Sequence, residues 1–440
     1  MNNFRDGRTI NDKGHLEIAG LDTIHLANKY GTPLFIYNIS TVRENINMFK
    51  NALKSYPKNT EISYASKAFS SVAMYQIIEQ ENISIDVVSG GELYIAKQAG
   101  FPGERINFHG NNKSKSELLD ALDYGIGYFV VDNFHELEML KELTAERKQI
   151  AKVLMRVTPG VDADTHKYIL TGNVDSKFGF DLESGQAEEA VRIAQKAEYL
   201  QLDGLHMHIG SQIFESDSYV LAMTQILKYV NEWHAKFGFN LDIFNIGGGF
   251  GIQHIPNGEI SSSKNQLEEI GQSLIELFDE HDLPYPELWI EPGRSIVGEA
   301  GTTIYDIGSQ KVLPDVRHYI SVDGGMADNI RPAFYDAKYY AKLANRMNDE
   351  PVNTVSVAGK ACESGDMLIW DLELPEIKVE DKLAVFNTGD YSFAMASNYN
   401  RLTKPAVVFV EDGKDFIAIR RETPEDFKRF ENDLPENFSK

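Results

Sequence analysis

The stretch Ile62-Ser63-Tyr64-Ala65-Ser66-Lys67-Ala68 reads as a short apolar strand that ends abruptly on a lysine, with a helical pattern beginning near Ser70. A strand followed at once by a helix is half of a βαβ unit, so the question it raises is whether the pattern repeats. It does. Apolar runs recur at Ile62–Ser66, Ile83–Val88, Ile106–Phe108, Tyr128–Val131, Val153–Val157, Leu205–His208, Ile243–Ile246 and Leu288–Ile290. Stretches of helical period lie between neighbouring runs, among them Val72–Glu79, Glu92–Ala99, Lys115–Leu122, Glu136–Leu143, Ala187–Ala197, Tyr219–His234 and Gln266–Phe278. Eight strands alternating with helices predict an α/β fold, a (β/α)8 TIM-like barrel. Alternation alone does not report closure, and a doubly wound open sheet is the second reading.

The rhythm changes after Gly298. Strand-like runs at Thr303–Ile307, Tyr319–Val322, Thr354–Val357, Met367–Trp370, Leu383–Phe386, Ala406–Val410 and Phe416–Ile419 are separated by turn residues, with one helical insert expected over Asp336–Met347. This predicts a mostly antiparallel C-terminal β domain. The early run Leu34–Tyr37, with Pro33 before it, is expected to join that domain. The organisation is then a barrel over 40–299 and a discontinuous β domain over 1–39 and 300–440.

Composition bounds the function. A formal net charge of -23 over 440 residues argues against a nucleic-acid or anionic-membrane partner. No apolar run approaches the roughly 20 residues that cross a bilayer, and the first residues lack the apolar core of a signal peptide. The single cysteine, Cys362, cannot form an intrachain disulfide, and a cytoplasmic location is expected.

In such a barrel, chemistry gathers at the C-terminal ends of the strands. Here those ends carry Lys67, Ser89-Gly90-Gly91-Glu92, His109-Gly110-Asn111-Asn112, Arg156, Met207-His208-Ile209-Gly210-Ser211-Gln212, Gly247-Gly248-Gly249 and Glu291-Pro292-Gly293-Arg294. A lysine half out of water at a strand end has a lowered pKa and can form a Schiff base. Glycines after the seventh strand leave N–H groups able to curl around an anion, and Arg294 adds a planar fork for the same oxygens. A Schiff-base lysine facing a phosphate site suggests pyridoxal phosphate, or else a class I aldolase acting on a phosphorylated sugar. Glu291 favours the first, because a carboxylate facing the pyridine nitrogen keeps it protonated. His208 is placed to stack on the ring. No metal site is expected.

These motifs carry a resemblance. Tyr64-Ala65-Ser66-Lys67-Ala68, Asp86-Val87-Val88-Ser89-Gly90-Gly91-Glu92-Leu93, Phe108-His109-Gly110-Asn111-Asn112-Lys113, His206-Met207-His208-Ile209-Gly210-Ser211-Gln212 and Glu291-Pro292-Gly293-Arg294-Ser295 resemble the fold type III pyridoxal-phosphate decarboxylases, with their alanine racemase-like barrel. Asp323-Gly324-Gly325-Met326, Ile330-Arg331-Pro332-Ala333-Phe334-Tyr335, Cys362-Glu363-Ser364-Gly365-Asp366, and Tyr391 with Met395-Ala396-Ser397-Asn398-Tyr399-Asn400 are similar to the diaminopimelate decarboxylase family within that group. The resemblance implies decarboxylation of meso-2,6-diaminopimelate to L-lysine with pyridoxal 5′-phosphate. It implies Lys67 as the Schiff-base lysine, His208 stacked on the ring, and Glu291 on the pyridine nitrogen. Gly247, Gly248, Gly249, Gly293 and Arg294 would hold the phosphate. Arg294, Arg331, Tyr335, Glu363 and Tyr391 would contact the substrate, with Tyr391 also on the cofactor, and Cys362 would be the proton-donating acid. It further implies a homodimer in which Cys362 and Glu363 reach into the partner chain's site. Asp390 and Lys360 depart from the family's pattern.

The residues agree with those roles. A zwitterionic far end of a substrate suits arginine for its carboxylate and Glu363 for its ammonium, which separates diaminopimelate from ornithine or lysine. The alternatives are another decarboxylase of the fold acting on ornithine, arginine or carboxynorspermidine; a racemase, which Glu291 argues against; and a non-catalytic binding protein, which has no need of Lys67 and Cys362.

Overall fold

A computed structural model describes residues 7–160, 176–256, 258 and 262–438. The chain divides into two compact units. One comprises Arg43–Gln253 and Glu259–Ile296, the other Met1–Val42, His254–Gly258 and Val297–Lys440.

The first unit is a closed barrel. Its strands are β1 (Thr60–Ala65), β2 (Ser84–Val87), β3 (Ile106–Phe108), β4 (Tyr128–Val131), β5 (Ala151–Thr158), β6 (Leu200–His206), β7 (Ile243–Asn245) and β8 (Glu287–Ile290). Each pairs in parallel with the next, and β8 returns to β1 through Leu288↔Thr60, Trp289↔Glu61 and Ile290↔Ile62. That last ladder excludes the open-sheet reading. Between the strands run α1 (Val72–Gln80), α2 (Gly90–Ala99), α3 (Lys115–Tyr124), α4 (Phe134–Arg147), α5 (Gln186–Lys196), α6 (Asp217–Phe237) and α7 (Ser263–Glu280).

Local sequence explains where these helices begin and stop. Ser71, Ser89 and Asn133 accept hydrogen bonds from Met74, Glu92 and Glu136 N–H groups at the starts of α1, α2 and α4, and Ser114 with Glu117 forms a full capping box on α3. Gly100, Gly125 and Gly238 close α2, α3 and α6 in the left-handed conformation. Inside the barrel, Val130, Leu154, Ile243 and Trp289 form an apolar plug, with Tyr128 edge-on to Trp289 at 5.1 Å. Polar side chains occupy the strand ends above it.

In the second unit the main sheet runs in the order Met367–Leu374, Asn353–Ala358, Arg317–Val322, Gly301–Leu313, Leu34–Asn38, Ala406–Glu411, Lys414–Ile419. Its ladders are antiparallel except Arg317–Val322 with Asn353–Ala358 and Leu34–Asn38 with Ala406–Glu411. The early strand joins this sheet as expected, Tyr37 opposite Gly301. The helical insert expected over Asp336–Met347 is absent. A five-residue helix, Arg331–Tyr335, precedes it and stops at Asp336, whose φ is 52°. Ala341–Leu343 is instead a strand paired with Lys382–Phe386. Tyr339, Ala341 and Leu343 are buried at alternate positions, a period of two that the surrounding tyrosines and alanines concealed. Among the described residues no helix is long and apolar enough to cross a membrane.

Candidate active site

Lys67 lies in the 3-10 turn Ser66–Ala68 that ends β1, so the strand fixes its backbone while its side chain stands in the barrel mouth, open to solvent. Protein crowds it from the sides. Desolvation lowers its pKa, the Glu291 carboxylate works the other way, and Arg156 lowers it further. Gly293 packs on this turn; a Cβ there would stand 3.0 Å from the Ala65 Cβ and 3.1 Å from its carbonyl oxygen.

Glu291, one residue past β8, is the hub of the site. Asn245 Nδ2 donates to one carboxylate oxygen at 2.6 Å and His206 Nε2 to the other at 3.0 Å. His109 Nε2 is 3.2 Å from Glu291 and 3.5 Å from Asp86. Asp86 also accepts from Ser63 Oγ and, at 3.3 Å, from Asn107 Nδ2. Burial raises the pKa of Glu291, but His109 and His206 outweigh it and hold the carboxyl well below its usual range. Burial lowers both imidazoles; the two carboxylates nonetheless push His109 up to about 9, while His206 falls to about 4. The donor atoms of His109, His206 and Glu291 all lie within 4.8 Å of one another, and of the two imidazoles it is His206 whose Nε2–H donates to the carboxylate.

Beside this hub lies a cradle. Gly247 and Gly249 have φ of 75° and 111°, values that glycine alone adopts without strain, and a Cβ on Gly248 would fall 2.1 Å from the Glu291 carbonyl oxygen. Gly247 N–H is held by Asn245 Oδ1 at 2.9 Å, and Gly248 N–H points to His208 Nδ1 at 3.3 Å. The buried Arg294 donates from Nη2 to Ser211 Oγ at 3.0 Å. Desolvation, with Lys67 and Arg156 nearby, keeps His208 neutral.

An amine at a strand end, a charged carboxylate, a neutral flat imidazole and a glycine cradle with an arginine fit pyridoxal phosphate: aldehyde, ring nitrogen, ring face and phosphate each find a complementary group. The fit rests on the glycine turn beside Arg294, where a Cβ on Gly248 would collide with the Glu291 carbonyl, so the chain can follow this close path only as glycine.

The remaining candidates lie in the second unit. The Arg331 guanidinium sits over the rings of Tyr335 and Tyr391, at 5.2 and 5.3 Å from their centroids, and Tyr391 itself is at φ 56°. Cys362 and Glu363 share an exposed loop. That loop is pinned from below: the buried Asp366 carboxylate accepts the N–H groups of Ala361 at 2.8 Å and Met326 at 2.6 Å, and Asn400 Oδ1 accepts the Cys362 N–H at 2.6 Å. Asp390 is wholly buried, whereas Lys360 is exposed.

Sequence reasoning assigned no role to Asp86, His109, His206 or Asn245. For two of them a signal exists: His206 and Asn245 are the last residues of β6 and β7, each two before a residue that was assigned a role, His208 and Gly247.

The family model of the pyridoxal-dependent decarboxylases, pyridoxal binding domain, matches residues 39–298, and this defines the class of the barrel and its site. The chain is 53% identical over 432 residues to the diaminopimelate decarboxylase of Halalkalibacterium halodurans, covering 98% of each, and 53% identical over 425 residues to that of Bacillus subtilis, covering 97% of this chain and 96% of the other. The crystal structure of diaminopimelate decarboxylase from M. jannaschii in co-complex with L-lysine superposes with a TM-score of 0.91 at 34% identity, covering 98% of this chain and 99% of that one. The chain belongs to the diaminopimelate decarboxylase family.

Proposed function

We propose that this chain decarboxylates meso-2,6-diaminopimelate to L-lysine and carbon dioxide with pyridoxal 5′-phosphate, the last step of lysine biosynthesis, in the cytoplasm. The observation that carries this reading is the 53% identity over 98% of the chain to a protein of that name. The cofactor, when bound, supplies an electron-withdrawing ring for the electron pair left at the α-carbon as carbon dioxide departs.

Lys67, its pKa lowered by desolvation, offers the amine that would bind the cofactor. Glu291, held as a carboxylate, would favour a proton on the ring nitrogen, and the neutral His208 would pack against the ring without opposing that charge. Gly247, Gly248, Gly249 and Gly293 with Arg294 hold the phosphate. Arg331 takes the distal carboxylate of the substrate and Glu363 its distal ammonium, with Arg294, Tyr335 and Tyr391 as further contacts. The Cys362 thiol returns a proton to the α-carbon. In this reading the barrel over 40–299 binds the cofactor and the β domain over 1–39 and 300–440 carries the substrate loops. The assembly is a homodimer in which Cys362 and Glu363 of one chain complete the site of the other.

The test is release of carbon dioxide by the purified, cofactor-loaded protein from diaminopimelate, L-lysine, L-ornithine and L-arginine in parallel. Release from diaminopimelate with lysine as product is expected. Release from ornithine or arginine instead would assign the chain to another decarboxylase of the fold.

A further inference from the structure

We propose that His109 is held as an imidazolium between Asp86 and Glu291, and that it is the positioning residue that keeps Glu291 charged toward the cofactor's ring nitrogen. This rests on the reading of Glu291 as that nitrogen's partner.

Asp86, His109 and Glu291 are 4%, 6% and 8% exposed, and the His109 Nε2 stands 3.5 Å from one carboxylate and 3.2 Å from the other. The nitrogen is aligned with neither oxygen as a hydrogen-bond donor. One N–H shared between two carboxylates is an electrostatic arrangement, and two buried carboxylates this close both stay ionised only with a cation between them. The neighbouring groups do not supply it. Ser63, Asn107 and Asn245 are neutral donors; Arg156 pairs with Asp132 at 3.7 Å, and although it and Lys67 both act on Glu291 through space, neither makes an ion pair with Asp86 or Glu291 as His109 does. His206 is not the cation, because its Nε2–H already serves Glu291 while its buried Nδ1 has no hydrogen-bond partner among the described residues; a second proton there would face no carboxylate, whereas the His109 Nε2–H faces two. Burial and the nearby Glu291 push the Asp86 carboxyl up, and His109 and Ser63 pull it back; with Asp86 ionised, two carboxylates and one imidazolium leave a single negative charge, which matches the one positive N–H of a protonated pyridine ring.

Cofactor-loaded protein labelled with 15N-histidine reads the charge directly, since the two ring nitrogens of an imidazolium differ in shift from those of a neutral ring. The His109 signals are those that vanish in His109→Gln; should that variant not fold, His109→Asn supplies the same assignment. His109 is expected to be an imidazolium at pH 7, and Asp86→Asn to lower its titration by about one pH unit or more. In His109→Gln, kcat should fall about tenfold with KM nearly unchanged. A neutral His109 at pH 7, a titration unmoved in Asp86→Asn, or an unchanged kcat in His109→Gln each overturns the proposal. Borohydride fixation of the cofactor on Lys67, measured on the same sample, reads the underlying assignment separately: its failure counts against the cofactor reading, and the His109 spectrum still reports the imidazole's charge.

Discussion

The barrel mouth and the loops of the β unit build their polar groups in opposite ways. Lys67, Glu291 and Gly247–Gly249 lie one to four residues past a strand end, where the parallel ladder dictates their backbone, and Glu291 makes its contacts out of water. Arg331, Cys362, Glu363 and Tyr391 belong to a short helix and loops, and Cys362 and Glu363 face solvent. What is buried beneath the loops is an anchor rather than a reactive group: Asp366 under Cys362, and Asp328, which accepts the Gly325 N–H at 2.6 Å and the Tyr305 hydroxyl at 2.7 Å. The lesson is a division of labour. Substitutions at the barrel mouth should strike turnover, substitutions of Arg331 and Glu363 on the loops should strike substrate choice, Cys362 alone among the loop residues should strike turnover, and substitutions of the anchors should act through loop order.

The largest effect is expected from Lys67→Ala. Turnover should drop by several orders of magnitude with the circular dichroism spectrum unchanged, because the amine takes no part in packing. Mixed with an equally inactive Cys362→Ala chain, it should recover about a quarter of wild-type activity, since random exchange makes about half the dimers mixed and each has one intact site. No recovery, where exchange is demonstrated, would place both residues in one chain's site and end the shared-site reading. Next is Glu291→Gln, for which kcat should fall about 10²-fold while KM holds; an equal fall in affinity would make Glu291 a packing residue.

A smaller effect is expected from Asp366→Ala. Two N–H groups lose their acceptor, at a cost of about 1–3 kcal/mol, and the loop they pin loosens. Cys362 is the only thiol in the chain, so its alkylation rate reports the loop alone, and it should rise. An unchanged rate would mean that the Asn400 contact to Cys362 suffices.

The smallest effect concerns pH. Burial raises the Asp328 carboxyl from 3.8 to about 7, against the pull of its Tyr305 and Gly325 hydrogen bonds. Its folded form therefore keeps a proton that the unfolded chain has lost between those values. Stability from this group is full below pH 3.8, declines as pH rises through the window and is level above about 7. Asp328→Asn should flatten that part of the Tm-against-pH curve. A slope as steep as wild type would assign the decline to other groups.

Much of this was legible in sequence because a barrel strand announces itself by an apolar run and its functional end by the polar residue that stops the run. Lys67, Glu291 and the glycines after Ile246 are such stops. Asp86 and Asn245 were not legible as parts of the site, since each interrupts an apolar run that still reads as a strand; neighbouring strands set Asn245 beside Glu291 and Asp86 beside His109, and only barrel closure brings those two pairs together. Closure itself is a β8–β1 ladder between residues more than 200 apart, which local patterning does not encode. The strand at Ala341–Leu343 was missed for the opposite reason: three residues are too few to set a period against a tyrosine-rich background.

The chemistry of the barrel mouth stands on one amine, that of Lys67. Purified protein reconstituted with pyridoxal phosphate should be yellow, and borohydride should bleach it and leave the phosphopyridoxyl mass on the peptide containing Lys67 and on no other. A protein that cannot be reconstituted, or that carries the label on a different lysine while Lys67→Ala stays active, would contradict it.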